Sequence, residues 1–142
     1  MITFAEVAAA ARAVAAEKPD WIDVRAVRDL EPRYVEHGKP CCLVAEVLTR
    51  LGWSKTNLKQ LDHEPGRSGG GIKFAESRNL MLRRIDPLGL QLLDYLQRHQ
   101  DTARTWGEVV ADAFRPEPSS PYWSRADLLG KPWLEPGDQQ RQ

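Results

Sequence analysis

The stretch Thr105-Trp106-Gly107-Glu108-Val109-Val110-Ala111-Asp112-Ala113-Phe114 decides how this chain is read. Thr105 is placed to accept a hydrogen bond from a backbone N–H that the first helical turn leaves unpaired. Glu108, three residues on, is placed to bond back to the N–H of Thr105. Apolar side chains then recur at 106, 109, 110, 113 and 114, the spacing of one helical face. Thr3-Phe4-Ala5-Glu6 repeats the signal at the other end of the chain. It opens a helix to about Glu17 whose stripe is Phe4, Val7, Ala8, Ala11, Val14 and Ala15.

Between these two helices the same period recurs. From Cys41 to Leu51 the apolar positions are 43, 44, 47, 48 and 51, and Gly52 stands where a helix ends. Ser54 or Thr56 opens a short helix carrying Leu58 and Leu61. After Asp86-Pro87, the residues Leu88, Leu92, Leu93 and Leu96 form another stripe that ends near His99. A shorter helix is expected after Asp20, stopped by Pro32. Gly38-Lys39-Pro40 reads as a turn, and Glu64 to Gly71 as a flexible loop. Ile72 and Phe74 alternate with Lys73 as in a brief extended stretch. Ser77 to Ile85 reads as helix, because Asn79 to Arg84 contains no β-branched residue. The expected fold is an all-α, small irregular helical bundle over residues 1–115. Five of the ten prolines fall at 116, 118, 121, 132 and 136, so residues 116–142 form an extended, proline-interrupted tail.

Composition narrows function by exclusion. The 142 residues fit one domain with 42% apolar and 28% charged side chains, and 20 acidic groups balance 20 basic ones. Net charge therefore gives no general attraction to nucleic acid or lipid. No apolar run is long enough to span a membrane. The two cysteines are adjacent and cannot staple distant segments, which fits a reducing cytoplasm. A cytoplasmic protein without a membrane partner is expected.

No residue pattern announces chemistry. The glycine loop lacks the spacer and the Gly-Lys-Ser/Thr ending of a phosphate-binding P-loop. His37, His63 and His99 lie 26 and 36 residues apart, so no zinc spacing arises. Cys41 or Cys42 at a helix N-terminus is a conceivable nucleophile, yet no spacing supplies an oriented base. No catalytic residue, metal ligand or cofactor is expected.

The leading expectation is a regulatory or accessory protein acting by protein–protein contact or self-association. Its contact groups are Trp123, Trp133 and Leu134 of the tail, followed by Arg78 and Arg84. The alternative is nucleic-acid binding. Residues 50–84 carry eight bases against Asp62, Glu64 and Glu76, a local balance of +5. The expected contacts are Lys55, Lys59, Arg67, Lys73, Arg83 and Arg84, with Trp53 available for stacking. The helices at Cys41–Leu51 and Lys55–Leu61 imitate a helix-turn-helix. The shortness of the second, and Trp53 where that unit has a small turn, count against it.

The Cys41-Cys42 opening, Ala45 and the run to Leu51, followed by Asp101, Thr105, Glu108 and Val109, resemble an uncharacterised family of small proteins from actinobacteria and their phages. The resemblance spans roughly Trp21 to Phe114. Leu43-Val44 departs from that family's small residues, and Arg98-His99-Gln100 from its tryptophan–asparagine lead into the aspartate. The resemblance implies an accessory protein, of bacterial or phage origin, that works through host or viral partners, and it implies no substrate.

Overall fold

Thr3 opens the first helix as its sequence predicts, its Oγ1 accepting the Glu6 N–H at 3.2 Å. The computed structural model describes residues 1–23, 33–63, 73–100, 102 and 104–115. Within them lie five α-helices: α1 (Phe4–Glu17), α2 (Leu43–Arg50), α3 (Lys55–Asp62), α4 (Pro87–Gln100) and α5 (Trp106–Ala113). One short antiparallel hairpin, β1 (Val35–Glu36) and β2 (Lys39–Pro40), precedes α2. The all-α expectation holds for the described residues, as an irregular bundle.

Helix α1 is central and packs against α2, α4 and α5. Ala8, Ala10, Ala11 and Ala15 are all buried on it, and their small side chains let three helices approach one axis. Asp86 ties two helix starts together. One carboxylate oxygen accepts the Phe4 N–H of α1 at 2.7 Å, and the other accepts Gly89 N–H of α4 at 2.8 Å. A carboxylate at a helix N-terminus is favoured by the unpaired amides there, and here one group serves two helices. Pro87 follows in the first helical position, where its missing N–H is no loss.

Three local expectations are corrected. Residues 77–85 are not an α-helix. The Asn79 side chain accepts the N–H groups of Met81 and Leu82, and only a single 3₁₀ turn forms, over Leu82–Arg84. Ile85 is then held extended by a parallel bridge to Ile2. Phe74 is not in a strand; it begins a 3₁₀ turn whose first N–H is taken by Asp94 on α4. The expected turn at Gly38-Lys39-Pro40 is a hairpin with His37 and Gly38 at its tip, both at positive φ, 53° and 74°.

Most of the helix expected after Asp20, the glycine loop and the tail lie outside the described residues. So do Arg67, Trp123, Trp133 and Leu134.

Candidate nucleic-acid interface

The link between α2 and α3 is fixed by chemistry within four residues. Helix α2 ends in paired backbone bonds, Gly52 N–H to Thr49 O and Trp53 N–H to Leu48 O, each at 3.0 Å. This is the Schellman arrangement, which requires a left-handed residue at its turning point. Gly52 supplies it at φ 100°. Trp53 swings inward and is only 4% exposed, joining buried Leu48 in the core. Ser54 then caps α3: its Oγ accepts Asn57 N–H at 3.1 Å while Asn57 Oδ1 accepts Ser54 N–H at 3.2 Å. The tryptophan that counted against a tight turn is therefore part of what fixes it.

Burial sorts the side chains of α3 cleanly. Leu58 and Leu61 face the core. Lys55, Thr56, Lys59, Gln60 and the capping His63 are exposed at the spacing of one helical face. That face bears hydrogen-bonding groups and no carboxylate. The helix's own acid, Asp62, turns to the hairpin, where its two oxygens accept Tyr34 N–H at 2.9 Å and Val35 N–H at 3.2 Å.

The other described basic residues of this stretch are dispersed. Arg50 pairs with Glu17 at 2.8 Å. Lys73 and Arg78 flank the 3₁₀ turn at Phe74–Glu76, which packs on α4. Arg83 and Arg84 are exposed on the turn whose Arg84 carbonyl accepts Ile2 N–H. Of the described basic residues expected to meet nucleic acid, Lys55 and Lys59 are the two that share one helical face with a row of polar neighbours. Sequence reading did not single out Thr56, Gln60 and His63, which share that exposed face. The signal was available in the buried positions 58 and 61, which leave 56, 60 and 63 pointing outward.

The cysteine pair plays a different part. Cys42 is the N-cap of α2, its Sγ accepting Ala45 N–H at 3.4 Å, and Gln100 Oε1 accepts the adjacent Val44 N–H at 3.0 Å. Burial pushes the Cys42 thiol up, and neighbouring Cys41 adds to this. Cys41 Sγ donates to Arg33 O at 3.1 Å. Thr105 and Glu108 form the reciprocal cap of α5, while Asp101 lies outside the described residues.

Among the described residues no three His, Cys, Asp or Glu side chains are grouped to hold a metal ion, and no helix is long and apolar enough to cross a membrane. None of the protein-family models, curated proteins or solved structures compared with this chain matches it.

Proposed function

We propose that this chain is a regulatory or accessory protein that binds duplex DNA by placing α3 in the major groove. The observation that carries this reading is the rigid α2–turn–α3 unit, whose second helix exposes Lys55, Thr56, Lys59, Gln60 and His63 without an acidic residue among them. A helix-turn-helix joins its helices through three or four residues, commonly with a glycine, and reads bases from its second helix. Length is not an obstacle. Eight residues at 1.5 Å each make a helix of about 12 Å, and in this motif it is the N-terminal residues of the second helix that meet base edges. The side-chain types suit base edges: lysine for guanine O6 and N7, glutamine for adenine, the threonine methyl for thymine. Overall neutrality gives no general attraction to DNA, so local groups such as Lys55 and Lys59 have to supply it.

Titration of a fluorescein-labelled duplex of mixed sequence with the full chain tests the proposal. Binding is expected at low salt, and replacing Lys55 and Lys59 together by Gln is expected to weaken it about tenfold or more, since one base-edge contact is worth roughly 1–3 kcal/mol. Equal affinity of wild type and double variant overturns the assignment to α3.

A protein-contact role has support of its own. Trp21 is 56% exposed, yet its ring leans on buried Trp106 at 5.8 Å and carries Lys18 Nζ 4.6 Å above its centroid. Lys18 is in turn held by Glu46 at 2.8 Å. An exposed tryptophan held by its neighbours suits an interface anchor, because little side-chain freedom remains to be lost on binding. The tail tryptophans, Leu134, Arg78 and Arg84 belong to this second reading.

A further inference from the structure

The hairpin stands beside α3 and is mounted on it without slack. Both of its strands contact α3. Asp62, in the last turn of α3, accepts the two amides that open the hairpin. At the hairpin's base Tyr34 is buried and donates its hydroxyl to Gln97 of α4 at 2.7 Å. Cys41 N–H donates to Tyr34 O at 3.1 Å, which extends the pairing of the two strands by one residue and leads directly into the Cys42 cap of α2. The hairpin is thus bonded to α3, α4 and α2 at its root, while His37 and Lys39 at its outer end are exposed.

Its reach is short and definite. His37 is two residues beyond Val35, which at about 3.3 Å each puts it roughly 7 Å from the Asp62 contact at most. That is less than the approximately 12 Å width of the major groove. The tip thus stands within one groove width of α3, to which both strands of the hairpin are packed. Among the described residues two carboxylates belong to this corner. Asp62 is occupied by its two amides, and Glu36, the register partner of Lys39, is half-buried. Of the Glu36–Lys39 pair Lys39 is the more exposed.

We propose that the His37-Gly38-Lys39 tip is a second DNA contact, in which Lys39 pairs with a backbone phosphate beside the groove that α3 enters and His37 donates to the same strand. This inference rests on the duplex-binding reading of α3. The division of labour follows from chemistry: α3 carries groups suited to base edges, whereas a lysine on a short rigid loop suits a phosphate, which fixes register without reading sequence.

The test is a salt series with the full chain and the same labelled duplex. Each phosphate contact contributes about 0.9 to the slope of log K against log salt. Lys39→Gln is expected to lower that slope by about 0.9 and to weaken binding equally for duplexes of different sequence, with Lys39→Arg restoring both. Lys39 is exposed, so the melting temperature of each variant should match wild type. An unchanged slope in Lys39→Gln, alongside weakened binding by the Lys55/Lys59 double variant, overturns the hairpin contact and leaves the α3 assignment standing. Failure of wild type to bind duplex, or binding confined to single strands, overturns both.

Discussion

Gly107 shows how one missing carbon sets a helix against its neighbour. A Cβ at this position would lie 2.9 Å from the Pro19 carbonyl oxygen and 3.3 Å from Pro19 Cα. The same carbonyl accepts Gly107 N–H at 2.9 Å, and Trp21 O accepts Trp106 N–H at 2.8 Å. The first turn of α5 thus pairs two of its spare amides with the chain leaving α1, and Thr105 takes the Glu108 amide. Intrinsic preference favours alanine over glycine in a helix by about 1 kcal/mol, but the obstacle is backbone, which cannot rotate aside. Overpacking of this kind costs roughly 1–3 kcal/mol. Gly107→Ala should therefore lower the unfolding free energy in urea by about 1 kcal/mol net and disturb the fluorescence of Trp21 and Trp106. Unchanged stability would show that Pro19 gives way.

At the scale of elements, each helix start is specified within three residues, and that is why the helices were legible. The reciprocal caps at Ser54–Asn57 and Thr105–Glu108, and the glycine closing α2, need no information from distant parts of the chain. Ser54→Ala should cost about 1 kcal/mol by removing the acceptor for Asn57 N–H, while Ser54→Asp should retain most of it. Denaturant titration of the three forms checks this, and equal stability of the alanine and serine forms contradicts the cap. Where the outcome depends on remote partners, the sequence was opaque. Residues 79–84 have helical propensity, but the Asn79 side chain takes two of their amides and Ile2 holds Ile85 extended. The hairpin has two residues per strand, too few for alternation to register, and its anchor on Asp62 lies more than 25 residues away. The candidate site was half visible. Lys55 and Lys59 were identifiable as bases, but the burial of Trp53 and the inward turn of Asp62 are tertiary facts, and they give the face its turn and its freedom from acid.

Across the whole molecule, titratable groups gather at the seam between α4 and α5. His99 stacks on Tyr95 with ring centroids 4.1 Å apart, and Asp112 of α5 pairs with both Arg104 and Arg115. Partial burial, with Arg98 and Arg104 nearby, holds the His99 imidazole below the usual histidine range. The Asp112 carboxyl is held below its ordinary value chiefly by its bond from Arg104. Both shifts act in the same direction. A histidine whose folded value is depressed favours the fold while neutral, so the unfolded chain binds its proton first and stability falls as pH drops below about 6.5. Asp112 contributes above the ordinary aspartate value and is lost in a second step below about 3.9. Melting temperatures should therefore fall on acidification from neutral pH, with the first step much reduced in His99→Gln and the second in Asp112→Asn. A profile in which His99→Gln retains the full first step would place its origin elsewhere. Because the groups named at this seam lie on α4, on α5 and beside α5, mild acid should loosen α5 from α4 before it disturbs the α2–turn–α3 unit. Hydrogen exchange at about pH 5.5, where a histidine of ordinary pKa is mostly protonated, should then show faster exchange at Val109 and Val110 than at Leu58 and Leu61.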